Sequence, residues 1–74
     1  MKEIKKNFYG YKVVIDMEDG TSRCDIYHRD DYLNLDVVVG LPANSETVYD
    51  NGKGLHLTGE QACEIVGWAS ANGW

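Results

Sequence analysis

The chain is poor in the residues that staple, break or cross. Two cysteines, Cys24 and Cys63, among 74 residues fall short of the four or more that a small secreted disulfide framework uses. A reduced, cytoplasmic protein is expected. The single proline, Pro42, and the absence of any repeat or linker exclude a multi-segment or low-complexity chain. No run approaches the roughly 20 apolar residues that span a bilayer, and Met1-Lys2-Glu3-Ile4-Lys5-Lys6 has no apolar stretch after its lysines, as a signal peptide would. Cations are scarce beyond Lys12: eleven acidic side chains face only Arg23, Arg29 and Lys53. The first twelve residues carry the opposite bias, four lysines against Glu3.

What is present is the composition of a folded domain. With 43 % hydrophobic and 26 % charged residues, the chain resembles an ordinary globular protein rather than a disordered one. Residues 1–74 are read as one domain, with the basic residues 1–7 as a flexible N-terminus. A domain of this size buries only about 60–65 % of the surface its unfolded chain exposes, so its margin of stability is narrow.

The pattern predicts an α+β fold. Tyr9, Tyr11, Val13, Ile15 and Met17 alternate with Gly10, Lys12, Val14 and Asp16, the period of a strand with one buried face. Asp19-Gly20 suits a two-residue hairpin turn in which both central residues take positive φ. That turn sets Met17 opposite Ser22, Ile15 opposite Cys24, Val13 opposite Ile26 and Tyr11 opposite His28. The other face then pairs Asp16 with Arg23, Val14 with Asp25 and Lys12 with Tyr27. A one-residue slip would exchange the faces, so turn and pattern support each other.

A return at Asp30-Asp31 predicts a third strand over Tyr32 to Val39, with Ile26 opposite Leu35 and Asp25 opposite Asp36. A short helix is the alternative, and the three consecutive valines favour the strand. Gly40 to Ser45 reads as a loop. Thr47-Val48-Tyr49 and Leu55-His56-Leu57 flank turn chemistry and suggest a second small hairpin. Thr58-Gly59-Glu60-Gln61 matches a capping box, and Ala62, Ile65, Val66 and Ala69 form one helical stripe that Asn72-Gly73 ends. An antiparallel sheet of three to five strands, with one C-terminal helix packed on one face, is the expected architecture.

The motifs exclude more than they assign. His28-Arg29-Asp30 matches a kinase catalytic string, but the chain has neither the nucleotide loop nor the length of that fold. Counted from Asp16, a calcium loop would need glycine sixth and glutamate twelfth, where Thr21 and Tyr27 stand. No pair among Cys24, Cys63, His28 and His56 lies at zinc-finger spacing. No cysteine has a visible activating partner. No metal, no cofactor and no catalytic residues are assigned, and the chain is read as a non-enzyme.

The remaining signal is surface. A dense negative field repels nucleic acid and membranes and attracts basic surfaces, so the expected partner is a protein with a basic surface, with no direct binding of nucleic acid or membrane. Asp16, Asp25 and Asp36 on the sheet face, with Tyr27, Tyr32, Trp68 and Trp74 as aromatic anchors, are the candidate partner-binding residues. In size, acidity and lack of catalytic motifs the chain resembles the small phage-encoded inhibitors of bacterial defence, such as anti-CRISPR proteins. This likeness is one of class and carries over no residue. It implies an inhibitor whose carboxylates stand where phosphates would lie on a nuclease or CRISPR effector. The alternative is a structural or assembly protein, a homodimer formed through strand edges or the Trp68 and Trp74 region.

Overall fold

The computed structural model describes residues 2–74. Four antiparallel strands in the order β1-β2-β3-β4 make the main sheet: β1 (Lys2–Phe8), β2 (Tyr11–Glu18), β3 (Thr21–His28) and β4 (Asp31–Asn34). A 3-10 turn, Leu35–Val37, follows. Then come a two-stranded sheet of β5 (Tyr49–Asp50) and β6 (His56–Leu57) and the helix α1 (Gly59–Ala71). The fold is α+β, as the sequence predicts.

The β2–β3 hairpin has the predicted register from Glu18 opposite Thr21 to Lys12 opposite Tyr27; the predicted Tyr11–His28 pair lies beyond the ladder, its rings meeting edge-on at 5.4 Å. Asp19 and Gly20 both take positive φ, 49° and 79°, so the turn twists with its strands. The capping box is also present: the Thr58 hydroxyl accepts from the Gln61 amide at 3.2 Å, and the Gln61 side chain accepts from the Thr58 amide at 3.0 Å.

Three expectations are corrected. Residues 2–8 are not a flexible basic tail but strand β1, paired with β2 along its whole length; Met1 lies outside the described residues. The turn that closes this hairpin, Tyr9-Gly10, repeats the left-handed geometry of Asp19-Gly20, at φ 55° and 84°. Second, the β3–β4 turn falls at Arg29-Asp30, with Tyr27 opposite Tyr32 and His28 opposite Asp31. The ladder is therefore two residues from the predicted one, and Asp25 faces Asn34 rather than Asp36. Third, the strand predicted to reach Val39 stops at Asn34. The Asn34 side chain accepts from the Asp36 amide at 3.0 Å, and the Val38 amide bonds Leu35 carbonyl at 3.1 Å. Burying Leu35 and Val38 together needs a spacing of three, which a tight turn supplies and a strand does not.

One face of the sheet and α1 enclose the core. Val13, Ile15, Cys24 and Ile26 meet Leu35, Leu55, Leu57, Ala62, Ile65 and Ala69 there. Burial of side chains of this size stabilises by about 1.5–3 kcal/mol each for the larger aliphatics. The small sheet is tied to β2 by the Tyr11 hydroxyl, which accepts from the His56 amide at 3.0 Å and lies 2.9 Å from the Gly54 carbonyl. Cys24 and Cys63 are both free, one buried and one exposed.

Candidate functional site

Among the described residues, no helix or strand covers the face of the main sheet opposite α1. Register places Glu3, Asp16 and Arg23 in one row across it. Lys5, Val14, Asp25 and Asn34 make the next row, and Asn7, Lys12, Tyr27 and Tyr32 the last. Of the seven residues predicted to bind a partner, this face brings four together: Asp16, Asp25, Tyr27 and Tyr32. Asp36 sits apart in the 3-10 turn. Trp68 and Trp74 lie on the other side, partly buried against the core, with Trp68 edge-on to Phe8 at 5.5 Å between ring centres. Both tryptophans enlarge a small core instead of projecting as free anchors.

Asp25 is a structural residue. Only 2 % exposed, its carboxylate accepts from Arg23 Nε at 2.8 Å and from Asn34 Nδ2 at 3.2 Å. A buried charge is tolerated when it is paired and bonded in this way. Val14, 4 % exposed on the same uncovered face, is shielded by the long side chains around it.

The tyrosine end of the face is an aromatic and cationic platform. Tyr27 and Tyr32 rings lie 5.8 Å apart, with Lys12 Nζ 5.6 Å from the Tyr27 ring centre and the Arg23 guanidinium 5.9 Å from that of Tyr32. These contacts hold the rings in place, yet Tyr32 remains 55 % exposed. Partial burial, then the Asp25 charge, raises the Tyr27 hydroxyl above its ordinary range.

At the other end, Glu3, Asp16, Glu18, Thr21 and Arg23 line an open hollow of about 370 Å³. Lys5 pairs with Glu3 at 2.9 Å and holds its carboxyl below the usual range. Asp16 goes the other way: partial burial and then the neighbouring Glu3 and Asp25 carboxylates push its carboxyl up. Its buried Oδ1 has no hydrogen-bond partner. This end of the face is short of positive charge.

Sequence reasoning missed Glu3 and Lys5 because it left residues 1–7 outside the sheet. It passed over Lys12 even though the correct register had already set Lys12 against Tyr27. Charge also divides differently from the simple acidic field. Residues 2–34 hold seven acids and six bases, whereas residues 35–74 hold five acids and one base. Among the described residues, no group of three or more His, Cys, Asp or Glu side chains is placed to hold a metal ion, and no helix is long and apolar enough to cross a membrane. Comparison with protein-family models, curated proteins and solved structures gave no match to this chain.

Proposed function

We propose that the chain is a small protein-binding module without catalytic activity of its own, and that it holds a partner's basic surface on the open face of its sheet. The observation that supports this most is that one face carries both Tyr32, 55 % exposed and braced by Arg23 and Tyr27, and, at its other end, the hollow of Glu3, Asp16 and Glu18, which Arg23 also lines. Tyrosine on a rigid support is a favoured interface anchor. A lysine or arginine of the partner entering the hollow would meet the carboxylates of Glu3, Asp16 and Glu18 that line it. Inhibition follows if the basic surface so covered is the nucleic-acid channel of a nuclease or CRISPR effector. Phosphate mimicry would then rest on Asp16 and its neighbours and not on Asp25, whose charge is neutralised by Arg23.

The test is affinity capture from the native host with wild type, Tyr32→Ala and Asp16→Asn as baits. A partner held by wild type, released as salt rises and lost with Tyr32→Ala supports the proposal. Equal capture by all three baits removes the open face from consideration.

One further observation favours the homo-oligomer as a second reading. Val37, Val39 and Leu41, 58 %, 44 % and 37 % exposed, present apolar surface along one short segment. Sedimentation across a range of concentrations separates the two, because a concentration-independent monomer is incompatible with the oligomer.

A further inference from the structure

The sheet order leaves β1 with one unpaired edge along all of Lys2–Phe8. At the opposite side of the sheet, β4 offers only Asp31–Asn34. A two-residue hairpin turn closes on a hydrogen-bonded pair, here Phe8 and Tyr11, and such pairs alternate along an antiparallel ladder. Phe8, Lys6, Ile4 and Lys2 therefore spend their backbone groups on β2, while Glu3, Lys5 and Asn7 turn theirs outward. Among the described residues, β1 makes no backbone hydrogen bond beyond that ladder.

Charge along this edge is opposite to that of the molecule. Lys2, Lys5 and Lys6 face only Glu3 on β1, in a chain of net charge −5. Glu3 is engaged with Lys5. Lys2 and Lys6, both exposed, have no carboxylate in ion-pair range among the described residues. They share the α1 side of the sheet with half-buried Ile4 between them.

We propose that the free edge of β1 takes an extended acidic peptide as a fifth strand of the main sheet. Main-chain bonds to Glu3, Lys5 and Asn7 supply affinity, and alternate side chains supply selection. Lys2, Ile4 and Lys6 occupy non-hydrogen-bonded positions on this edge, where facing side chains approach most closely. The matching ligand is therefore acidic, any, apolar, any, acidic. A second copy of β1 is the poorer occupant. Antiparallel self-pairing centred on Lys5 sets that lysine against itself, and pairing centred on Ile4 sets Lys2 against Lys6. The inference goes beyond the open-face proposal and uses none of its tyrosines.

The experiment titrates the full chain with the capped peptide Thr-Glu-Thr-Ile-Thr-Glu-Thr and follows backbone amides by NMR and hydrogen exchange. The amides of Glu3, Lys5 and Asn7 are expected to gain protection. The double variant Lys2→Glu with Lys6→Glu turns two exposed ion pairs into two repulsions. It should bind about tenfold more weakly, and regain affinity for the peptide carrying lysine in place of glutamate. Tyr32→Ala should bind as wild type does, which keeps this outcome separate from the open-face test. The proposal is overturned if wild type binds the glutamate and lysine peptides equally, or if the shifts fall away from β1. Protection of Glu3, Lys5 and Asn7 that appears with protein concentration alone would also overturn it, by assigning the edge to a second copy.

Discussion

Tyr11→Phe removes one oxygen and tests what holds the small β5–β6 sheet against the large one. The Tyr11 ring is 8 % exposed and meets His28 edge-on at 5.4 Å, contacts that phenylalanine keeps. Its hydroxyl accepts from the His56 amide at 3.0 Å and has two carbonyls in range, Gly54 at 2.9 Å and His56 at 3.0 Å. A hydroxyl has one hydrogen, so it donates to one of these at a time. Two bonds are then lost, each contributing about 1 kcal/mol net, for a destabilisation of about 2 kcal/mol. In a domain of this size that lowers Tm by about 8–16 °C. Leu55 and Leu57, both fully buried, keep the hairpin in place, so the chain still folds. The loosening is local: amide exchange at Val48, Asn51 and His56 should accelerate more than at Val13 or Ile26. A calorimetric Tm within about 3 °C of wild type, with unchanged exchange at His56, would refute the tether.

Two other perturbations follow from the same geometry. A methyl group at Gly67 meets nothing within 4 Å, whereas at Gly59 it would stand 2.2 Å from the Pro42 carbonyl oxygen. Gly67→Ala should therefore raise stability by about 1 kcal/mol through helix propensity, and Gly59→Ala should lower it strongly; denaturant midpoints that move together would contradict this. Asp16→Asn should raise Tm at neutral pH. The folded-state pKa of Asp16 is raised, so its contribution to stability is present below the ordinary carboxylate pKa and lost as pH rises through the folded value. The gain from the substitution should shrink on acidification, and a Tm difference between variant and wild type that is flat from acid to neutral pH would remove this account.

The parts of the fold legible in the sequence are those where two signals agree. Asp19-Gly20 and the alternation on either side of it each pin the β2–β3 register, and Thr58 with Gln61 marks the start of α1 through paired side-chain bonds. Strand β1 was not legible because its core-side positions, Lys2, Ile4, Lys6 and Phe8, mix charge with apolar bulk. The turn that forms it puts Tyr9, a residue with no preference for positive φ, in a left-handed conformation. Gly10 after Asn7, whose side chain accepts from the Gly10 amide at 3.2 Å, was the available signal. The β3–β4 ladder was misplaced by two residues because Arg29, not Asp30, takes the positive φ. A shift of two conserves the faces, so His28, Ile26 and Cys24 stayed on the predicted side while the Asp25–Asp36 pair dissolved. Of the candidate site, the tyrosines were legible through register; the neutralisation of Asp25 was not, because burial of a carboxylate depends on partners from two other positions.

The two free cysteines differ in a way that bears on how the molecule can be handled. Burial, then the charges of Asp25, Asp16 and Asp36, pushes the Cys24 thiol up to about 12, which makes it inert to thiol reagents at neutral pH. Cys63 is exposed on α1, its Sγ 3.6 Å from the Leu41 carbonyl. A maleimide therefore attaches at one known point. Because α1 lies on the far side of the sheet from Tyr32, a surface coupled through Cys63 holds the molecule by the side away from the open face and leaves that face turned toward solution.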